Sequence, residues 1–360
     1  MKSFSIYLCV VTVLITMKTT SAQALKMYIG TYTSNSDSKG VYVYDFDEQS
    51  NETKYLKTIP MSNPSFLARK GDILYAVNED EKGMVTVYNL AEDRVMSQAS
   101  SGGAHPCHIS LSPKDPIAIV SNYSSGTLSL FSLQEDGGIN KMEDHLQFNG
   151  SSVDKARQNQ SHIHSAFFSK DGSQVFVSDL GADLIYVFSI ENTNGSYRFK
   201  KLQEIKTKLG GGPRHLVFSK DEKHFYSVLE ITGEIEVFSR IGDKWNSKQI
   251  IPMYPGDFQG EQGGADVKIA ENGKNLYATN RGTANLVYKY KINHDGLLNL
   301  ESFSSVLGDS PRNVNISPSG NFIFVSNQIS GNITIFNSKN SLIKKADIKL
   351  DNHKPVCVIF

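Results

Sequence analysis

The chain has 360 residues, with 37 lysines and arginines against 37 aspartates and glutamates, so its formal net charge is zero. No basic face for nucleic acid and no basic run for a membrane surface stands out. Hydrophobic residues make up 39%, enough for a sizeable core, and 16 Tyr, 19 Phe and 28 Gly favour many short strands over helices.

In chain order, residues 1–24 come first as a separate segment. Lys2 precedes an apolar run from Phe4 to Met17, then small polar residues and an Ala22-Gln23-Ala24 site. This pattern predicts a cleaved secretory signal peptide, with a run too short to span a bilayer. The mature protein is then exported, periplasmic or extracellular, with no membrane partner.

From residue 25 onward one unit repeats. A strand opens on Pro plus a polar residue, turns through a motif such as Ser317-Pro318-Ser319-Gly320, and returns as a second strand ending in a polar pair. A short Gly-containing loop and a third strand like Val41-Tyr42-Val43-Tyr44 follow. Second strands end at Gly30-Thr31, Asn78-Glu79, Asn122-Tyr123, Asp179-Leu180, Leu229-Glu230, Asn280-Arg281 and Asn327-Gln328. First strands start at Pro64, Pro106, His162, Pro213, Ala265 and Pro311, and the seventh is Pro355 to Phe360 at the end. The mature chain begins directly with a second-type strand, Met27 to Gly30, so the C-terminal strand 355–360 completes the first repeat. The expectation is an all-β, seven-bladed β-propeller, one domain over 25–360, closed by that pairing. Cys107 and Cys357 then fall on non-adjacent blades and stay unpaired, while Cys9 leaves with the leader.

Residues before first strands and after second strands share one face of such a ring. That face collects histidines and arginines; the other carries ordinary polar turns. Two long connections, Gln134 to Ser161 and Ile250 to Gly264, reach the same face and are expected to cover a pocket.

Three groups there carry chemistry. Arg214 and His215, after Gly210-Gly211-Gly212-Pro213, begin a hairpin whose return arm ends at Glu230, so Arg214 and Glu230 are expected side by side. His162 and His164 lie two apart in a strand and point the same way. Arg281 stands in Asn280-Arg281-Gly282. Arginines grip carboxylate or phosphate at two points, a histidine or glutamate can activate water, and either cation type can hold an oxyanion. His108, Asn122, His162, Asp179, His215, Asp266, Asn280 and Arg312 complete the candidates as substrate-binding residues. Plainer roles compete: strand-end caps for Asn122 and Asp179, and a simple ion pair for Arg214 with Glu230. A three-histidine metal site from His162, His164 and His108 or His215 is a further competitor, but acids on the face are few. Neither a metal nor another cofactor is expected. A secreted binding scaffold for a glycan or protein is the alternative function, although exposed aromatics on this face are scarce.

The chain resembles the seven-bladed propeller lactonases, which include propeller-type 6-phosphogluconolactonases and fungal carboxy-cis,cis-muconate cyclases. The resemblance rests on Tyr28-Ile29-Gly30-Thr31-Tyr32-Thr33, Pro106-Cys107-His108, Asn122-Tyr123, His162-Ile163-His164-Ser165, Asp179-Leu180-Gly181, Gly212-Pro213-Arg214-His215, Asn280-Arg281-Gly282, Pro311-Arg312-Asn313 and Pro355-Val356-Cys357. It implies a metal-independent lactonase site at the channel mouth acting on a sugar lactone, in a protein expected to be a monomer. It also implies that His164 (or His162), Arg214, Glu230 and Arg281 are the catalytic residues, with a muconate-type lactonising cyclase using the same residues in reverse. Leu229 stands where the family would have Asn. The leader is a second departure, since it points to a lactone met outside the cytoplasm.

Overall fold

A computed structural model describes residues 24–339, 342–350 and 352–360. The predicted signal peptide therefore lies outside the described residues, except for Ala24. The described residues form 28 strands, numbered β1 to β28 in chain order, and no helix. They make seven four-stranded antiparallel sheets, ordered β4 to β7, β8 to β11 and so on around the ring. The exception is the sheet β28-β1-β2-β3, in which β28 (Lys354–Ile359) lies against β1 (Leu25–Tyr32). Tyr28 pairs with Ile359 and Ile29 with Val358, so the last strand closes the ring as the sequence predicts.

Side-chain alternation explains how the blades stack. Second and third strands are covered on both faces and read as near-continuous apolar runs, as in the fully buried β9 (Ile117–Asn122). Alternate residues enter opposite interfaces: Tyr75 and Val77 pack on one neighbouring blade, Leu74 and Ala76 on the other. Each adjacent pair of blades has its own apolar cluster, including Phe322 and Phe324 of the last blade against Met27, Phe46 and Val358 of the first. The core is thus a set of seven wedges around a channel.

The fourth strands were not legible in the repeat. β7 (Arg94–Ser100) and β19 (Lys244–Pro252) are largely exposed, so their sequences carry little apolar pattern. One consequence corrects the long connection at 134–161. Most of its first half is β11 (Ile139–Gln147), paired with β10 (Thr127–Leu133), and only residues 148–162 form the loop above the channel.

Every innermost strand carries one extra residue near its start. Pro64 pairs with Asn78 but Phe66 with Val77, and Ile163 pairs with Asp179 but Ser165 with Ser178. The same shift occurs in β8 (Pro106–Leu111), β16 (Pro213–Phe218), β20 (Gly264–Ile269), β24 (Pro311–Ile316) and β28. A bulge turns a side chain out of the alternation. Cys107, His164, Arg214 and Arg312 all stand within these bulges.

Candidate functional site

A cavity of about 500 Å3 opens at one end of the channel. Three kinds of segment build its wall. Bulged inner strands supply Cys107, His164 and Arg312. The residues at and just after second-strand ends supply Tyr32, Glu79, Tyr123, Glu230 and Arg281. The loops 148–162 and 253–263 bring in Arg157 and Gln262.

Glu230 is the electrostatic centre. Its Oε2 accepts from Arg214 Nε at 2.9 Å and from Arg281 Nη2 at 2.5 Å, and its Oε1 from Arg157 Nη2 at 2.5 Å. His164 Nε2 lies 3.8 Å from the same Oε2. Burial alone would raise this carboxyl, but Arg281, Arg214 and Arg157 together hold it well below the usual range, so Glu230 is ionised and a weak base. Burial and then the neighbouring Arg214 push His164 well below the ordinary histidine value, which leaves a neutral imidazole. Burial also pulls Arg281 down to about 10, against the opposing effect of Glu230.

A second chain lines the opposite wall. Arg312 Nη2 donates to the Tyr32 hydroxyl at 2.8 Å, and that hydroxyl donates to Glu79 Oε2 at 2.8 Å. Burial keeps the Tyr32 phenol protonated. Four guanidinium groups, at 157, 214, 281 and 312, thus share the site with two carboxyl groups, at 79 and 230. The guanidinium groups outnumber the carboxyl groups by two.

Local backbone explains the placement. Glu230 donates its N–H to Gly212 O at 2.7 Å, which continues the β16–β17 hairpin (β17 is His224–Leu229) one step past its end and sets Glu230 beside Arg214. Arg281 is held by its N–H bond to Gly263 O at 2.7 Å. Gly282 has φ +73°, and a Cβ there would lie 2.3 Å from Glu261 O. Only glycine lets the chain turn there against the covering loop.

The predicted residues separate into three groups, with His162 apart from all of them. His164, Arg214, Glu230, Arg281 and Arg312 come together at the cavity, Arg214 lying behind Glu230. His108, His215 and Asp266 form a buried layer beneath: His215 Nδ1 lies 2.8 Å from Asp266 Oδ1, and the His108 ring packs between Phe66 and Phe167. Asn122, Asp179 and Asn280 do not line the cavity; each is fully buried and ties strand ends to loops. Asn122 Nδ2 donates to Ser101 O, Asp179 accepts from the N–H of His162 and Gly181, and Asn280 Oδ1 accepts from Gly263 N–H. His162 stacks on Tyr123 at 4.4 Å outside the lining, apart from His108, His164 and His215, and no three His, Cys, Asp or Glu side chains among the described residues are grouped to hold a metal ion.

Arg157 and Tyr32 were missed as site residues, and Glu79 was placed on the face but not singled out. Arg157 is a lone arginine in a polar loop, which gives no signal in sequence. Its loop is nevertheless tightly built. Asp154 Oδ1 accepts from the N–H groups of Ala156 and Arg157, and buried Gln158 donates to Asp183 Oδ1 at 2.7 Å. Cys107 lines the cavity, but its thiol donates to His164 O, and burial raises its pKa far from thiolate formation. Cys107 and Cys357 are both free.

Comparison with known proteins agrees with this architecture. A 6-phosphogluconolactonase of Formosa agariphila is 33% identical over 323 residues, 86% of this chain and 91% of that protein. A 6-phosphogluconolactonase of Bacillus subtilis is 26% identical over 349 residues, 92% and 97% of the two chains. Among solved structures, a periplasmic gluconolactonase of Pseudomonas aeruginosa superposes with a TM-score of 0.87 at 28% identity, covering 93% of this chain and 99% of that one. The sequence model described as Lactonase, 7-bladed beta-propeller matches residues 26–360, and the chain belongs to that family.

Proposed function

We propose that the protein hydrolyses an aldonolactone carrying an anionic substituent, of the 6-phosphogluconolactone type, at the channel mouth and without a metal. The observation that carries this reading is a buried histidine facing a cavity around which four guanidinium groups gather against two carboxyl groups. His164 Nε2 takes a proton from water as the resulting hydroxide adds to the lactone carbonyl carbon. The carbonyl electron pair becomes an oxyanion facing Arg281, whose side chain is 16% exposed. Collapse of the tetrahedral adduct breaks the ring C–O bond. The ring oxygen then takes the proton from the imidazolium, and the product is the open hydroxy acid. Glu230 is the anchor and not the base: it aligns Arg214 and Arg281 and faces the imidazolium that forms. Arg157 and Arg312, at opposite walls, are suited to a phosphate or carboxylate on the substrate.

The names of the relatives support the reaction class. The leader pattern, together with the periplasmic gluconolactonase among similar structures, supports export. The test is a pH-stat assay over phosphorylated and plain gluconolactones, with and without EDTA. We expect kcat/KM for the phosphorylated lactone to be higher by about 10-fold or more, one charge-assisted contact's worth, and unchanged by EDTA. Turnover of no lactone overturns the reaction; equal turnover of both overturns the anionic substituent.

A further inference from the structure

Two buried imidazoles, one in the cavity wall and one beneath it, each leave one nitrogen without a hydrogen-bond partner, Nδ1 of His164 and Nε2 of His215. The side chains are only 5% and 3% exposed, and the rings meet edge to face with centroids 5.3 Å apart. Unpaired buried polar atoms are uncommon in native proteins, and two on rings in contact with each other can be satisfied together by one shared partner.

The surroundings fix which nitrogen of His215 carries its proton. Asp266 Oδ2 accepts from Asn313 Nδ2 at 2.6 Å and from Val314 N–H at 3.2 Å. Its Oδ1 accepts from Val267 N–H at 2.9 Å, and Lys268 Nζ lies 3.6 Å from the same oxygen. A carboxyl with donors on both oxygens is ionised. Burial would raise it, but Lys268 and His215 hold it below the usual range. Arg214 Nη1 also approaches His215 Nδ1, at 3.4 Å, but the ionised carboxylate at 2.8 Å is the closer and stronger partner, so His215 Nδ1–H donates to Asp266 and Nε2 is a bare acceptor.

We propose that His215 and Asp266 are positioning residues for the acid–base histidine, acting through one buried water. His164 Nδ1–H donates to the water, the water donates to His215 Nε2, and His215 Nδ1–H donates to Asp266. All donors in this chain point away from the cavity, so His164 Nε2 is left bare toward the substrate. When Nε2 takes a proton, the chain stabilises the imidazolium as far down as Asp266. The logic is that of a histidine oriented by a carboxylate, extended by one imidazole and one water. The inference rests on the lactonase reading for its activity readout but not for its tautomer readout.

Two amide substitutions separate positioning from mere packing. His215→Asn keeps a donor near Nδ1 for Asp266 and removes the acceptor at Nε2, whereas His215→Gln can place a carbonyl oxygen near Nε2. We expect kcat to fall about 100-fold in His215→Asn, the low end of positioned acid–base catalysis, with KM little changed, and to recover most of that loss in His215→Gln. The acidic limb of the kcat profile should move in His215→Asn. His164 is also faced by Glu230, Tyr123, Arg214, Arg281 and Arg312, and His215 by His108, Arg214 and Lys268, and none of these is altered. Independently, 15N spectra of histidine-labelled protein, with His164 assigned by its loss in His164→Gln, should show His164 protonated at Nδ1 and His215 protonated at Nδ1. Wild-type kcat and pH profile in His215→Asn, or His164 protonated at Nε2, overturns the proposal. Absence of lactone turnover in the unaltered protein defeats the lactonase reading instead, and the tautomers then decide the relay alone.

Discussion

Glu230 accepts from three guanidinium groups, and its side chain is only 7% exposed. Removing its charge leaves Arg214 and Arg281 buried among like charges, and breaking a buried pair costs about 3–5 kcal/mol. Glu230→Gln should therefore lower both activity and thermal stability, so activity loss in this variant does not by itself identify a base. Arg157 is the cleaner probe, because its side chain is 45% exposed. Arg157→Gln should cost no more than about 1 kcal/mol in stability while raising KM for a phosphorylated lactone about tenfold, equivalent to one lost ionic contact, and leaving KM for the plain lactone in place. Steady-state kinetics on both substrates with a melting curve checks this. An equal KM rise on both would make Arg157 a structural arginine.

Two elements set this arginine, and one carboxylate joins them. Asp183 Oδ1 accepts from Gln158 Nε2 at 2.7 Å and from Gly212 N–H at 2.8 Å; Oδ2 accepts from Ser152 Oγ at 2.5 Å and from Gly210 N–H at 2.6 Å. The loop 148–162 and the glycine run before β16 are thus fastened to one point. Gly210 and Gly212 have φ of +76° and +68°, which turns both N–H groups inward. Asp183→Ala should release the loop and reproduce the KM rise of Arg157→Gln. The double variant should raise KM no further, because both changes remove one interaction; additive losses would show that the clamp does not act through Arg157. The period of the repeat, the closing strand and the Arg214–Glu230 pairing follow from apolar runs and equal hairpin arms, and they were legible. The bulges were not, since in strands such as Ile163 to Phe168 no residue marks the extra position. The sequence face therefore mixed cavity residues such as His164 with the lower layer of His215 and Asp266. Asn122, Asp179 and Asn280 drew attention as polar residues at strand ends, and their hydrogen bonds show why such positions are polar without touching the cavity.

At the scale of the whole molecule, ring closure turns local alternation into a buried polar axis. Inner strands from seven blades must each turn one face toward the channel, so polar groups accumulate there away from water. His108, His164 and His215 are all buried and all held below the ordinary histidine value, first by burial and then by neighbouring positive or histidine groups. For His215 the folded value falls from 6.5 to about 4. Between those two pH values the unfolded chain binds a proton at this position that the native ring refuses, so stability increases with pH across the window. It is complete above about 6.5 and lost as pH falls toward 4. His108 and His164 act in the same direction. The raised carboxyls of Asp179 and Glu236 oppose them near the acid end, whereas the depressed carboxyls of Glu230 and Asp266 extend the loss further down. Each histidine contributes about 1.4 kcal/mol per pH unit below its unfolded value. Denaturant unfolding between pH 7 and 4.5 should therefore show stability falling with a slope of more than one proton. His215→Asn should reduce that slope by about one proton, as one titrating group is removed. A flat profile over this range would mean that the channel admits water and charge as readily as the unfolded chain does, and the ring would then not act as the desolvating shell on which the neutral His164 depends.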